Sequence, residues 1–310
     1  MITRRFNRWL GMLLLVGGLA FWWLLLENAP EGAQPLPLHI ATLRQLAGQR
    51  PGPAPDAVAF EMVATARRVG DLVVAGGGLK KRSLAVGAFE LTVPGAKPVM
   101  INSGPGAVAA ATLGYKPRPD ALARVESALG DSGMILLTEG RPLTASGLLA
   151  LAARPGKASL LTKACLGPEQ LADLSAMPRR LAPLLPLPPA CLSGAQPQAV
   201  APGIVVIPAS GHARGSQMIY VRLTNGREYL FAGETAPLEA SWNQLRARGR
   251  LLGDLRDRED RGAVFSWLLT IRQLVAEAPG LVVVPGSDRA WLTKAATDHV
   301  VAPGFAPTRP

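Results

Sequence analysis

An uncharged apolar segment near the N-terminus constrains this chain more than any other feature. Residues 9–26 read WLGMLLLVGGLAFWWLLL and contain no charged side chain. A helix needs roughly 20 such residues to cross a bilayer, whereas the apolar core of a cleavable signal peptide has roughly 7–15. The segment therefore predicts a transmembrane signal-anchor helix over residues 9–26.

The charges around this segment predict its orientation. Arg4, Arg5 and Arg8 precede it, and Glu27 and Glu31 follow it. Because positively charged flanks stay in the cytoplasm, residues 1–8 are expected to form a cytoplasmic basic tail. The chain is then a single-pass membrane protein with its C-terminal domain exported to the periplasmic or extracellular side. A cleaved signal peptide is the alternative, although no clear small-residue cleavage site follows the segment.

The charge balance bears on the partners. The chain has 33 basic and 22 acidic residues, and its excess of positive charge is spread over the sequence. Basic residues are not interleaved with aromatic ones in the way that single-stranded nucleic-acid binders require. We therefore expect membrane lipid as a partner, through the N-terminal helix, and no nucleic acid.

Two cysteines, Cys165 and Cys191, lie 26 positions apart in a segment rich in Leu and Pro. Export to an oxidising compartment makes a disulfide between them a reasonable expectation, with two isolated buried thiols as the alternative. No histidine lies close to either cysteine, which argues against a metal site there.

The rest of the chain reads as a linker followed by one domain. Residues 27–58 are rich in Pro, Ala and Gly, with one short helical patch, LHIATLRQLAG. Residues 59–310 alternate apolar strand patterns with amphipathic helices, which indicates an α/β sandwich. Asn225-Gly226 predicts a hairpin, residues 238–279 predict a long helical region broken near Gly253, and the Leu/Pro-rich residues 178–190 predict neither helix nor central strand.

Five segments of this domain carry a resemblance to a known family. They are, in chain order, MINSGPG, ILLTEGRPLTASGLL, IVVIPASGHARGSQMIYVRL, EYLFAGETA and LVVVPGSDRAWL. They resemble the IDTG turn, the THxHxDHAGG loop, the GHTPGS-like loop, the FAGDTA segment and the PGHD turn of the metallo-β-lactamase superfamily. The match spans roughly residues 60–300 and is closest to the lactonase-like and glyoxalase-like branch. It implies a four-layer αββα sandwich over residues 59–310, preceded by the membrane helix.

In that superfamily two metal ions, usually zinc, activate a water molecule for hydrolysis, and the resemblance locates their ligands in this chain. In the first loop, Glu139 and Arg141 stand where the family has its first two histidines. Leu143 stands in place of the aspartate, and Thr144 in place of the third histidine. The loop thus resembles the family's loop in the residues around the ligand positions, but it lacks the ligands themselves.

The later segments keep part of the set. His212 is retained, while Glu234 replaces the bridging aspartate and Ser287 replaces the last histidine, with Asp288 beside it. His39 and His299 are the other two histidines of the chain, and no His-x-His pair exists. The resemblance therefore implies a degenerate metal-binding motif.

Arg141 is the substitution with the clearest physical consequence. A guanidinium stays protonated and has no lone pair, so it repels a divalent ion and cannot bind one. We expect Arg141 to occupy the vacated space and to pair with Glu139 or Glu234, because buried carboxylates need a counter-charge. No metal cofactor is expected at these positions.

Two functions remain open from the sequence. The first is a membrane-anchored protein that has lost its dinuclear metal site and acts in binding or regulation, with an unknown protein or small molecule in the cleft. The alternative is a hydrolase of esters, lactones or thioesters with a rearranged or mononuclear site, for which a single zinc held by Glu139, His212 and Glu234 is conceivable. His212 and Asp288 are the candidate catalytic residues. A third hypothesis is an envelope subunit that uses residues 178–190 as a contact surface.

Overall fold

The computed structural model describes residues 4–28 and 30–305. Its α-helices are α1 (Arg4–Phe21), α2 (Ile40–Ala47), α3 (Ala107–Thr112), α4 (Pro119–Asp131), α5 (Pro142–Ala152), α6 (Pro168–Ser175), α7 (Glu239–Asn243), α8 (Arg261–Glu277) and α9 (Arg289–Thr297). Its strands are β1 (Ala57–Val69), β2 (Lys81–Thr92), β3 (Val99–Ile101), β4 (Lys116–Pro117), β5 (Met134–Leu136), β6 (Gln198–Ala201), β7 (Ile204–Pro208), β8 (Gln217–Arg222), β9 (Glu228–Gly233), β10 (Val282–Pro285) and β11 (Ala302–Pro303).

The apolar N-terminal segment forms one helix. Helix α1 continues directly into a π-helical turn, Trp22–Leu26, so that the two together have 23 residues, and their most apolar stretch of 18 residues has a mean hydropathy of 2.1. This helix is long and apolar enough to cross a membrane, a property that it shares with signal sequences. It begins at Arg4, so the arginines predicted to lie in a basic tail before the helix belong to its first turns.

Two sheets form the centre of the domain. In the first, the strand order is β11-β1-β2-β3-β5, with β4 also paired to β1. In the second, the order is β10-β9-β8-β7-β6. Strands β8 and β9 are antiparallel and joined through the Asn225-Gly226 turn, where Gly226 has φ 83°, which confirms the predicted hairpin.

Three apolar clusters separate the layers. One cluster lies between the two sheets and contains side chains from both. In it, the ring centroids of Phe89 and Phe231 lie 5.0 Å apart in an edge-to-face arrangement. Helices α3, α4 and α5 cover the outer face of the first sheet, and α2, α7 and α8 cover that of the second. The predicted four-layer αββα sandwich is therefore confirmed.

The segment predicted as a linker, residues 27–58, differs from a free tether. Helix α2 lies within it, and Leu43 of this helix is fully buried against the second sheet. Strand β1 already begins at Ala57. Much of this segment is therefore part of the folded domain, because its apolar residues complete one of the outer cores.

The region predicted as a long helix, residues 238–279, is interrupted more extensively than the sequence indicates. Helix α7 ends at Asn243, a π-helical turn spans Gly253–Asp257, and α8 starts only after Asp260. The carboxylate of Asp260 caps α8 by accepting a hydrogen bond from the backbone NH of Ala263 at 2.9 Å. The irregular segment between the helices runs along the edge of the sandwich.

A disulfide joins Cys165 and Cys191, one of the two states left open by the sequence. Cys165 is held beside β5, since its backbone NH donates to the carbonyl of Ile135 at 2.9 Å. Cys191 follows residues 178–190, which contain no helix or strand, as predicted. The bond closes a loop that contains helix α6, a helix that the sequence did not predict.

Replacement of both cysteines by alanine should lower the stability of the full chain by about 3 kcal/mol, because the loop gains freedom in the unfolded state. For a domain of this size that corresponds to a fall in Tm of roughly 5–10 °C. Thermal unfolding in detergent, followed by circular dichroism, measures the change. Wild-type protein treated with reductant should show the same fall, and an unchanged Tm in both samples would contradict a stabilising disulfide.

Candidate functional site

Loops from both sheets meet at one edge of the sandwich around a cleft of about 320 Å³. The β5–α5 loop contributes Glu139 and Arg141, the β7–β8 loop contributes His212, and the β9–α7 loop contributes Glu234. The irregular segment before α8 contributes Arg248. The first three of these loops each follow a strand of the sandwich, so the two sheets fix the positions of the polar groups that they carry.

The seven positions that the resemblance assigns to the former metal site lie together here. Six line the cleft: Glu139, Arg141, Leu143, His212, Glu234 and Ser287. Thr144 lies beneath them, buried, and its hydroxyl donates to Oε1 of Glu139 at 3.0 Å.

His212 is buried and bonded at both ring nitrogens. Nδ1 lies 2.6 Å from Oε1 of Glu259, and Nε2 lies 3.2 Å from a guanidinium nitrogen of Arg141. Since a guanidinium only donates, Nε2 accepts and the ring proton belongs on Nδ1, where Glu259 receives it. The position of the His212 imidazole is thus fixed by a buried carboxylate on one side and a guanidinium on the other.

Arg141 lies in the cleft, as expected, but its partners differ from those that the sequence predicts. Its second guanidinium nitrogen donates to the backbone carbonyl of His212 at 2.9 Å. In the described structure it forms no hydrogen bond with Glu139 or Glu234. Glu234 instead pairs with another arginine, Arg248, and the hydrogen bonds of Arg141 go to the imidazole and the backbone carbonyl of His212.

Arg248 is the counter-charge of the cleft. Its guanidinium pairs with Glu234, lies 3.2 Å from Oε1 of Glu259, and lies 3.7 Å from Asp257. The side chain of Arg248 is only 14% exposed. Burial by itself lowers the pKa of Arg248, but the surrounding carboxylates raise it above its ordinary value, so the guanidinium remains charged.

The same charges act on Glu259 in the opposite direction. Burial raises the pKa of this carboxyl, but the hydrogen bond from His212 and the charge of Arg248 hold it below its ordinary value. Glu259 is therefore an anion held between an imidazole and a guanidinium. Its interactions connect the loop of His212 to the irregular segment that carries Arg248.

Glu139 is the exception in this network. It is 2% exposed, and its Oε2 has no hydrogen-bond partner among the residues that the structure describes. The nearest group, Nε2 of His212, is 3.4 Å away. Burial, together with the nearby charge of Glu234, raises the pKa of Glu139 and favours its neutral form. Oε2 of Glu139 is therefore a buried polar atom whose hydrogen-bonding capacity is unused.

Asp288 lies elsewhere. Its carboxylate caps α9 by accepting from the backbone NH of Trp291 at 3.1 Å, and it also accepts from the backbone NH of Glu239 at 3.1 Å. It lines a separate cavity with Arg289 and Lys294. Because both oxygens are used in positioning helix ends, Asp288 does not join the cleft, and the geometry gives it a structural role instead of the catalytic one predicted. Its neighbour Ser287 does reach the cleft, where its hydroxyl donates to Glu234.

Comparisons with known proteins follow this geometry. No known family profile matches the sequence, and no curated protein does. Solved structures match well. An N-acyl homoserine lactone hydrolase, solved with N-hexanoyl-L-homoserine at its catalytic metal centre, has a TM-score of 0.60 at 13% identity, over 78% of this chain and 96% of that one.

Two further structures agree. A quorum-quenching N-acyl homoserine lactone lactonase has a TM-score of 0.60 at 12% identity, over 78% of this chain and 95% of that one. A probable metal-dependent hydrolase from Staphylococcus aureus has a TM-score of 0.56 at 12% identity, over 77% of this chain and 91% of that one. The chain has the metallo-β-lactamase fold. At these identities the likeness concerns the fold, and the chemistry must be argued from the cleft itself.

The donor set in this metallo-β-lactamase fold does not fit zinc. In residues 4–28 and 30–305, no group of three or more His, Cys, Asp or Glu side chains is arranged to hold a metal ion. A zinc site needs neutral imidazoles and carboxylates with free lone pairs. Here Nε2 of His212 accepts from Arg141, and the carboxylate of Glu234 is taken by Arg248 and Ser287. An added divalent cation would also lie against two guanidiniums.

Sequence reasoning missed Arg248, Glu259 and Asp257, which are central to the cleft. All three lie in the region predicted as helical, which the fold interrupts between α7 and α8. The only signal was the basic cluster Arg246-to-Arg250 beside the acidic residues that follow it.

Tyr115 is a further lining residue of the cleft. Burial, together with Glu234, raises the pKa of Tyr115 to about 12, so its side chain stays a neutral hydrogen-bond donor.

Substitution of Arg248 by Met should destabilise the protein by about 3–5 kcal/mol, because it leaves Glu234 and Glu259 without their counter-charge. The Tm of the full chain in detergent is then expected to fall by roughly 10 °C. Arg256→Met is the matched control. The side chain of Arg256 is 64% exposed and its pair with Asp257 lies at the surface, so its removal should cost less than about 1 kcal/mol. Equal effects of the two substitutions would contradict a buried ion network.

Proposed function

We propose that this chain is a single-pass membrane protein whose exported domain, of metallo-β-lactamase fold, acts by binding a ligand and not as a dinuclear zinc enzyme. The observation that carries the proposal is the pair of guanidiniums in the cleft. Arg141 occupies the open side of His212, and Arg248 lies between Glu234 and Glu259. Both side chains take up lone pairs that metal ions would need.

The membrane-anchored form is supported by contacts just after the apolar helix. The carboxylate of Glu27 lies 2.9 Å from Arg250 and 3.0 Å from Arg261, and the side chain of Arg261 is only 6% exposed. Cleavage of the helix as a signal peptide close to its end would remove Glu27 or free its backbone. The buried guanidinium of Arg261 would then lose this partner, so these contacts favour a retained anchor with an exported domain.

Metal analysis of the purified full chain tests the first part of the proposal. After growth with zinc and extensive dialysis, elemental mass spectrometry should find zinc well below one equivalent per chain. The double variant Arg141→His/Arg248→Ala removes both guanidiniums and adds an imidazole, and it should bind more zinc than the wild type. Two tightly held zinc ions in the wild-type protein would contradict the proposal.

A second candidate function is hydrolysis of an ester, lactone or thioester with a rearranged or mononuclear site. The observation that favours it is the likeness to lactone hydrolases, together with the Glu259–His212 pair, in which a buried carboxylate orients an imidazole whose Nε2 faces the cleft. Such a pair can position a general base once Nε2 is released from Arg141. Zinc would be its cofactor only if Glu139, His212 and Glu234 rearranged around the ion.

A hydrolysis screen separates the two functions. Aryl esters, acyl lactones and acyl thioesters are incubated with the wild type and with His212→Gln, with and without added zinc. We expect no turnover above the uncatalysed rate for either protein. Turnover by the wild type that falls by about 100-fold or more in His212→Gln would support the hydrolase and overturn the binding proposal. Turnover that is equal in both proteins indicates a contaminant, because the proposed hydrolase needs the imidazole of His212 and the proposed binding protein has no turnover.

A further inference from the structure

The end of the membrane helix is fastened to the domain by specific contacts. In addition to the ion pairs of Glu27, the side chain of Asn28 accepts a hydrogen bond from the backbone NH of Ala247 at 2.7 Å and donates to the carbonyl of Leu245. The guanidinium of Arg250 lies over the ring of Trp23, 5.0 Å from its centroid. The domain is therefore held at a defined position relative to the helix end.

The same helix end contacts both rims of the cleft. One rim is the loop after β1, in which the backbone NH of Gly76 donates to Leu25 at 3.2 Å. The other is the irregular segment before α8, in which the NH of Leu251 donates to Leu24 at 3.1 Å. Each rim also supplies cleft residues, Leu72 and Val73 from the first and Leu252 from the second. The cleft therefore lies next to the point where the helix leaves the bilayer.

The rims expose apolar and basic side chains at this position. Leu79 is 73% exposed and Leu255 is 63% exposed, one on each rim. Lys80 and Lys81 follow Leu79 and are exposed, and Trp22 at the helix end is 53% exposed. Exposed leucines, lysines and tryptophan form the composition that enters the interface of an anionic membrane. We call residues Trp22, Leu79, Lys80, Lys81 and Leu255 the juxtamembrane face.

Inside the cleft, two of the lining arginines form no salt bridge with a carboxylate within the described structure. The guanidinium of Arg68 donates to the carbonyls of Leu113 and Gly114 at 2.9 and 3.1 Å. Arg141 bonds to the imidazole and carbonyl of His212. By contrast, Arg248 and Arg256 are paired with carboxylates. Two guanidiniums without an ion pair in one cleft favour an anion, and a guanidinium is a strong donor to phosphate oxygens.

The cleft is also lined by apolar side chains, beside the polar ones of Tyr115, Glu139, His212, Glu234, Asp257 and Ser287. The apolar lining consists of Leu72, Val73, Leu84, Leu113, Pro142, Leu143, Pro237 and Leu252. A volume of about 320 Å³ accommodates a polar head and a few methylene groups, but not two complete acyl chains. A lipid whose head is bound there would keep most of its chains in the bilayer beside the rims.

We infer that the cleft binds the phosphate head of an anionic phospholipid, taken from the bilayer at the juxtamembrane face. This inference rests on the proposed binding function and names its ligand class. Arg68 and Arg141 bind the phosphate, and the leucines of the rims contact the first methylene groups. The juxtamembrane face keeps the cleft at the level of the lipid heads.

Native mass spectrometry of the full chain tests this inference. The protein is released from detergent micelles that contain equal amounts of phosphatidylglycerol and phosphatidylcholine with the same acyl chains. We expect one retained phosphatidylglycerol per chain, with a preference of about tenfold over phosphatidylcholine. Arg141→Gln and Arg68→Gln should each lower that retention by about tenfold. Arg179→Gln is the matched control, because Arg179 is exposed in residues 178–190, outside the cleft.

Circular dichroism of each variant shows whether it remains folded, and an unfolded variant is replaced by the corresponding lysine substitution, which keeps the charge and should weaken retention less. Retention that is equal for both lipids, or unchanged in Arg141→Gln and Arg68→Gln, would overturn the inference. Loss of the lipid on addition of excess inorganic phosphate would show that the cleft takes a soluble anion, which also overturns it. Stoichiometric zinc would instead contradict the binding function itself, so the two failures are distinguishable.

Discussion

The buried contact of Arg248 with Glu234 and Glu259 is the interaction on which the rest of the cleft depends. Glu234 lies at the end of β9 and Glu259 lies just before α8, so this one guanidinium joins the second sheet to the irregular segment that carries it. Glu259 in turn orients His212, and His212 holds Arg141. Glu234 and Glu259 thus have a protein counter-charge, which is the condition under which buried carboxylates remain ionised.

Much of the fold could be predicted from the sequence because its signals are local and repeated. The apolar run predicted the N-terminal helix, five segments in a characteristic order predicted the αββα sandwich, and Asn225-Gly226 predicted a hairpin. The cleft was predicted only as a set of positions. Arg248 was missed because helical periodicity continues through a region that the fold interrupts, and Asp288 was assigned to the cleft although its position at a helix start makes it a cap.

The network also connects the cleft to the N-terminal apolar helix. Arg248 and Arg250 are two residues apart in one segment, and they contact the cleft carboxylates and Glu27 respectively. Arg261, at the start of α8, also binds Glu27 and lies two residues after Glu259. The segment that supplies the counter-charge of the cleft is therefore the same segment that holds the domain against the helix end. This continuity explains why the segment is irregular, since a regular helix would not present Arg248 and Arg250 to these two partners at once.

The most direct test of the central claim is a crystal structure of the full chain grown with zinc, with anomalous diffraction recorded at the zinc absorption edge. The account predicts density for the guanidinium of Arg248 between Glu234 and Glu259, and for that of Arg141 against His212, with no anomalous peak in the cleft. An anomalous peak bound by Glu139, His212 and Glu234, with either guanidinium displaced from the cleft, would contradict it.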